Sequence, residues 1–194
     1  MKILFLRHGQ TQGNVEKRYV GGSTDEPLTD KGRAALRRLD TEFAAEAIYV
    51  SPMKRTLETA NICFADSDIT VVENLREMLF GEFEAKRYDE LENDERYKAW
   101  VDSMCTDKCP GGESLNEFDA RIDSAFFEII ADAKAKGKNK IAIVAHGGVF
   151  MSLLNRYADE KREYFDWFMK NGCGYTVEFK EDNRPVLTNI EVFS

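Results

Sequence analysis

Two stretches of the chain are apolar at nearly every position and then break abruptly into polar groups. Ile3, Leu4, Phe5 and Leu6 run into Arg7, His8 and Gly9, and Ile141, Ala142, Ile143, Val144 and Ala145 run into His146, Gly147 and Gly148. Segments apolar at every position, rather than at alternate ones, predict strands covered on both faces, as in a parallel sheet between layers of helices. Ala47, Ile48, Tyr49 and Val50 predict another short strand of this kind, and residues 70–72 a further one. A helix is expected from Thr29 or Asp30, with Leu36, Leu39 and Phe43 on one face and Arg33, Arg37 and Arg38 solvated off it. Ser51 followed by Pro52 reads as an N-cap and first helical position, with Met53, Leu57 and Ala60 as that helix's buried face.

The middle of the chain reads differently. Residues 9–28 are rich in Gly, Asn, Thr and Pro and predict a long loop over the end of the first strand. Residues 73–113 hold many charges and several aromatics without a long apolar run, which suits an insertion of short helices and loops covering a pocket rather than forming core. Ser114 to Glu117 fits a capping box, and Phe118, Ile122, Ala125, Phe126, Ile129, Ile130 and Ala133 recur at helical spacing towards Gly137. Gly147 and Gly148 open a helix through Leu153 and Leu154. Alternating Tyr175, Val177 and Phe179, a turn near Asp182 to Pro185, and a return over residues 186–192 predict a hairpin at a sheet edge. The fold class expected is α/β, a three-layer α/β/α sandwich with a mostly parallel central sheet.

Composition narrows the functions open to such a fold. A chain of 194 residues suits a single domain, residues 1–194, and its 43% hydrophobic and 32% charged residues are ordinary for a soluble globular protein. A formal charge of -8 argues against a general nucleic-acid or anionic-membrane surface, so an anionic substrate needs a local basic cluster. The short apolar run before Arg7 is neither a signal peptide nor a membrane span. Cys63, Cys105, Cys109 and Cys173 lack framework spacing and are expected to be reduced thiols in a cytoplasmic protein. Cys105 and Cys109 resemble half a metal site but lack nearby residues to complete four ligands, so no metal is expected.

Parallel strands end on one sheet edge, and ligand crevices of open α/β sheets lie outside those ends. The chain's two histidines, His8 and His146, are thereby expected in one pocket with Arg7, Arg55, the Gly147 amide and Asn14. Arg55 falls in the first turn of a helix, where unpaired backbone N–H groups favour an anion. Two guanidiniums and an imidazole suit the charged oxygens of a phosphoryl group, with no Walker-type loop in the sequence. Nearby positive charge disfavours imidazolium, so His8 is expected to be neutral and able to attack phosphorus. This set lacks a proton donor for the leaving oxygen, and residue physics alone does not choose among Glu73, Glu77, Glu82 and Glu84.

The segment LRHGQT followed by Asn14, the Pro27-Leu28-Thr29 helix entry, Ser51-Pro52 with Arg55-Thr56 and Thr59-Ala60, the run from Pro110 to Ser114, and residues 144–148 together resemble the histidine phosphatase superfamily, also called phosphoglycerate mutase-like. The resemblance spans essentially the whole chain and implies the phosphoglycerate mutase-like fold. It implies His8 as the phosphorylated nucleophile, Arg7, Arg55, His146 and Asn14 as phosphoryl ligands, and Glu77 as general acid. Gln10, Gly21, Glu113 and Ser114 are expected around the substrate. Partial burial of Glu77 beside a phosphoryl group would raise its pKa, favouring activity at mildly acidic to neutral pH. Gln10 stands where many relatives have Glu, Phe83-Glu84-Ala85 where phosphatase members often show Trp-Glu-Gly, and the Gly21-Gly22 loop is slightly longer than the common pattern. These departures bear on substrate identity. The leading expectation is a cofactor-independent, metal-free phosphomonoesterase for a small phosphorylated metabolite, similar to the compact α-ribazole and broad-specificity phosphatases. Alternatives are a phosphoglycerate mutase, for which the middle region is short, and a silent phosphate-binding or partner-binding module. Either a monomer or a homodimer is compatible with the sequence.

Overall fold

The computed structural model describes residues 1–39, 43–65, 67–181 and 184–194. Its strands are β1 (Lys2–Arg7), β2 (Ala47–Val50), β3 (Ile69–Val71), β4 (Lys140–Ala145), β5 (Gly174–Glu181) and β6 (Pro185–Phe193). They form one sheet in the order β3-β2-β4-β1-β5-β6. β1, β2, β3 and β4 are mutually parallel, while β5 runs antiparallel to β1 and β6 antiparallel to β5. The helices are α1 (Gln12–Val15), α2 (Asp30–Leu36), α3 (Lys54–Cys63), α4 (Tyr88–Leu91), α5 (Glu95–Asp102), α6 (Leu115–Ala135) and α7 (Gly147–Tyr157).

The unbroken apolar runs have the cause expected of them. Successive side chains of a strand point to opposite faces, and both faces here are covered. Ile3, Phe5, Tyr49, Ile141 and Ile143 pack in one core with the buried residues of α6 and α7. Leu4, Leu6, Ile48, Val50, Ala142 and Val144 pack in a second with Leu36 of α2 and Ala60 and Cys63 of α3. This is an α/β/α arrangement with a mostly parallel centre. Arg7 lies level with Ala145 and Val50 with Val144, so β1, β4 and β2 end together.

The α6 capping box forms as expected between Ser114 and Glu117, and its helix ends before Gly137, whose φ of +67° suits glycine. Other local expectations need correction. α2 stops at Leu36, leaving Leu39 and Phe43 beyond it, and Arg33 pairs with Glu58 of α3 at 2.8 Å instead of being only solvated. Arg33 and Arg37, like charges four apart, give the helix no reason to continue. α3 starts at Lys54 with Met53 at the N-cap, not Ser51, and Asp25 accepts from the Lys54 amide at 2.7 Å. Leu57 is only partly buried. The long loop of residues 9–28 contains α1, closed by reciprocal Thr11 and Asn14 contacts. Of the expected turn, Asp182 and Asn183 lie outside the described residues.

Residues 73–113 also depart from expectation. Leu75, Phe83, Leu91, Tyr97 and Trp100 are buried and continuous with the α6/α7 core. Phe80, Tyr97 and Trp100 meet Tyr19 edge-on and Phe83 meets Tyr97 in the same way, with the Tyr19 hydroxyl 2.6 Å from that of Tyr97. Aromatics supply large buried area without helical periodicity, which is why no long apolar run marks this segment. Among the described residues, no helix is long and apolar enough to cross a membrane.

Phe126 is fully buried and meets Phe5, Phe179 and Tyr157 between α6 and the sheet. Phe126→Ala is expected to cost about 3–5 kcal/mol of stability, seen as a lower urea midpoint with an unchanged m-value.

Candidate active site

The level ends of β1, β4 and β2 bring His8, His146 and Ser51 side by side. His8 follows β1 with its amide bonded to the Ala145 carbonyl at 3.0 Å, and Ser51 follows β2 with its amide on the Val144 carbonyl at 3.1 Å. The two imidazole centroids are 5.2 Å apart. Nδ1 of His8 lies 2.7 Å from the Gly9 carbonyl, an acceptor, so Nδ1 carries the proton and the Nε2 lone pair is free. Thr59 of α3 accepts from the Gly9 amide at 3.0 Å and fixes that turn. Burial holds His8 well below its ordinary pKa, and Arg55 and Arg7 press in the same direction. Desolvation thus exceeds the cationic neighbours as the reason for a neutral His8. His146, fully buried, is depressed likewise, first by burial and then by Arg55. Its Nε2 pairs with the Ser51 hydroxyl at 2.8 Å, which accounts for Ser51 not serving as the α3 cap.

Both guanidiniums are held by main-chain carbonyls. Arg7 donates from Nη1 to Met169 at 2.6 Å and lies 5.3 Å from the Phe168 ring centroid. Arg55, in the first turn of α3 and fully buried, donates to the Thr24 and Gly21 carbonyls at 2.6 and 3.0 Å. Burial lowers the pKa of each, and Glu77 opposes that in both. Among the described residues, six buried side-chain nitrogens lack a partner; three of them are Arg7 Nε, Arg55 Nε and His146 Nδ1. Unpaired buried donors cost about 1–3 kcal/mol each, and more when charged. A multi-oxygen anion beside His8 would satisfy donors of this kind.

Asn14 adds a fourth donor. Its Oδ1 accepts from the Thr11 amide at 3.2 Å and from Asn171 Nδ2 at 2.9 Å, which orients its own amide nitrogen away from both. Glu77 closes the set from the opposite side. Its carboxylate accepts from the Met78 and Gly148 amides, both at 3.0 Å. Burial raises the Glu77 pKa, while those two amides, Arg7 and Arg55 pull it down. At the start of α7 the Gly148 amide is taken by Glu77, while Gly147, whose amide is the expected phosphoryl donor, lies against Arg7, where an added Cβ would stand 3.4 Å from the guanidinium.

The more peripheral expectations divide. Gly21 is at the site, since its carbonyl holds Arg55 and a Cβ there would meet the Met78 carbonyl at 2.3 Å. Gln10 lines a cleft behind the His8 peptide. Glu113 and Ser114 take supporting positions instead of substrate-facing ones. Glu113 accepts from the Leu79 amide at 2.9 Å and pairs with Arg121 at 2.6 Å, while Ser114 caps α6. Arg121 also donates to the Asn74 and Arg76 carbonyls and so braces the chain before Glu77. Glu84, in the Phe83-Glu84-Ala85 departure, accepts from the Ser23, Thr24 and Phe80 amides and ties the Gly21 loop to the Glu77 segment. The sequence reading missed the parts played by Ser51, Thr59, Glu84, Arg121, Phe168 and Asn171.

Residues 3–191 match the histidine phosphatase superfamily (branch 1), and the chain belongs to that family. It is an enzyme of the phosphatase type found among its relatives. It is 33% identical over 172 residues to phosphoglycerate mutase-like protein 4 of Arabidopsis thaliana, covering 84% of this chain and 73% of that protein. It is 29% identical over 189 residues to the adenosylcobalamin/alpha-ribazole phosphatase of Salmonella typhimurium, covering 93% and 92%. The crystal structure of the alpha-ribazole phosphatase from Shigella flexneri superposes with a TM-score of 0.81 at 25% identity, over 96% of this chain and 94% of that one. The six-stranded α/β architecture is that of these phosphoglycerate mutase-like structures.

Two expectations follow from this geometry. Because His8 and His146 are neutral when folded and titrate near 6.5 when unfolded, acid adds protons to the unfolded chain first. Stability is therefore expected to fall as pH drops below about 6.5, by at most about 2.7 kcal/mol per pH unit for the pair. Glu77, raised in the fold, works in the opposite sense just above its unfolded value, but as one group against two. Urea midpoints between pH 7 and 5 measure the effect. Secondly, a Cβ at Gly148 would stand 2.4 Å from Glu77 Oε1, so Gly148→Ala must displace the carboxylate. A roughly 100-fold loss in kcat on an aryl phosphate is expected, from a misplacement on the order of 1 Å, with thermal unfolding little changed.

Proposed function

We propose that this protein is a phosphomonoesterase that hydrolyses a small phosphorylated metabolite through a phosphohistidine on His8, with Glu77 as general acid and base. The observation that carries this reading is the pairing of a neutral His8, its Nε2 free, with a buried carboxyl of raised pKa among cationic donors. In the first step the Nε2 lone pair attacks phosphorus, the bond to the leaving oxygen breaks, and the Glu77 carboxyl gives that oxygen its proton. Arg7, Arg55, His146 and Asn14 hold the non-bridging oxygens, where preorganised donors act most strongly in a water-poor site. In the second step the Glu77 carboxylate takes a proton from water as its oxygen attacks phosphorus. The P–N bond breaks, releasing inorganic phosphate and neutral His8. Neither step draws on a cofactor, and a cytoplasmic location accords with four cysteines that are all free thiols.

A second reading, return of the phosphoryl group to another oxygen of the substrate, draws support from the mutase-like relative in Arabidopsis thaliana. Hydrolysis is favoured by the short segment 73–113 and its tight docking. The Gly22 amide bonds the Met78 carbonyl at 3.0 Å, and Glu84 binds the same loop.

The mechanism is tested with an aryl phosphate and with 3-phosphoglycerate. His8→Ala should abolish turnover and acid-labile phosphate labelling. For the wild type, phosphoenzyme formation should decline as pH rises through the raised Glu77 pKa, because only the protonated carboxyl donates. Glu77→Gln should lower the rate by about 10²–10⁴-fold and remove that alkaline limb. Free phosphate as product supports hydrolysis; 2-phosphoglycerate formed without phosphate release would establish the mutase instead.

A further inference from the structure

Behind the catalytic strand end lies a cleft of about 330 Å³ that the proposed reaction does not use. Its walls come from α2 and from residues 168–172, and its floor is the main chain of Gly9 and Gln10. The Gly172 amide and Asn171 Nδ2 both donate to the His8 carbonyl, at 3.1 and 3.2 Å, and close the cleft off from the imidazole. Asn171 also binds Asn14 and so stands between the cleft and that donor.

The lining is of one electrical sign. Lys31 and Lys170 are exposed at its rim, and no carboxylate is among its lining residues, in a chain of net charge -8. Asp30, next to Lys31, is committed to Arg33 at 3.0 Å. A cleft of similar size, about 300 Å³, beside Tyr49 has the opposite character, with Glu73, Glu128 and Asp132 in its walls; its Asp132 is already bound by Tyr49 and Lys136. Between the two lysines the first cleft offers apolar surface from Ala35 and from Phe168, a phenylalanine left 58% exposed. Apolar walls with a few fixed polar groups are what small-ligand sites present, and this volume is at the lower end of their range.

We propose that this cleft is a second ligand site, taking a small planar aromatic monoanion whose ring lies on Phe168 and Ala35 and whose charge sits between Lys31 and Lys170. Aromatic stacking and apolar burial hold the ring. The ammonium groups select the charge. The site stands independently of whether the enzyme hydrolyses or transfers its phosphoryl group.

The test is a fluorescence titration with 8-anilinonaphthalene-1-sulfonate, an aryl monoanion, on wild type, K31E/K170E and K31Q/K170Q. Saturable binding is expected, unchanged within about twofold when inorganic phosphate saturates the phosphoryl site. The charge reversal should weaken it at least tenfold, the neutral pair by less, and both variants should retain wild-type hydrolysis of an aryl phosphate. Displacement of the probe by phosphate would place it in the phosphoryl site and overturn the proposal. Affinity indifferent to the charge reversal, or no saturable binding, would overturn it as well.

Discussion

The structure turns on keeping two guanidiniums and two imidazoles buried at one sheet edge with the Glu77 carboxylate beside them. Removing positive charge from water is expensive, and main-chain oxygen offsets much of that cost here: Met169 for Arg7, Thr24 and Gly21 for Arg55. The two loops that surround the site are therefore part of its electrostatics. A loop that supplies carbonyls to a buried cation cannot move away without stranding it. The same shortage of solvation makes a further positive charge unfavourable, so His8 and His146 stay neutral. The neutral state that the proposed nucleophile requires thus follows first from its own burial, with Arg55 and Arg7 pressing in the same direction.

Glu77 sits at the balance point of this arrangement. Burial favours its protonated form, whereas two amides and two guanidiniums favour the carboxylate, and burial prevails in direction without removing the opposition. The proposed role, releasing a proton in one step and recovering one in the next, is served best between these extremes. The amides that set the balance come from the chain's own bend at Met78 and from Gly148, at the start of the helix that follows His146. Strand β4 and its helix consequently hold both sides of the site: His146 among the cations and the Gly148 amide on the Glu77 carboxylate.

What could be read in the sequence followed from interactions local in the chain or repeated along it. Apolar runs of residues 3–6 and 141–145 specify doubly covered strands, and parallel strands must end together, which suffices to join His8 to His146. The α6 capping box is likewise local. The resemblance supplied Glu77, which lies in a stretch whose charges hide it. What escaped depends on contacts between distant segments. Ser51 has the pattern of a helix cap, but its hydroxyl lies 95 positions from its partner, His146. Asn171 has no pattern at all; its value comes from meeting both His8 and Asn14. Glu113 belongs to a family motif, yet its partners Leu79 and Arg121 make it a brace. In the segment 73–113 the core is built from aromatic edges, which leave no periodic trace.

These contacts also separate what fixes the chemistry from what can vary. Near the transferring group, single methyl groups are excluded: a Cβ at Gly21 or Gly148 would lie within 2.5 Å of Met78 or Glu77. Farther out, the cover reaches the site through backbone hydrogen bonds and through Glu84 and Glu113, not through its outward side chains. Exposed positions such as Tyr88 and Met104 are free of those bonds. Selection for a new substrate can therefore rework the cover's outer surface while the carboxylate, the two arginines and the two histidines stay in register. Replacing Glu84 would be different in kind, since one side chain there serves three amides on both sides of the entrance. The departure at Phe83-Glu84-Ala85 keeps that glutamate, and Phe83 beside it is fully buried against Tyr97 and Trp100.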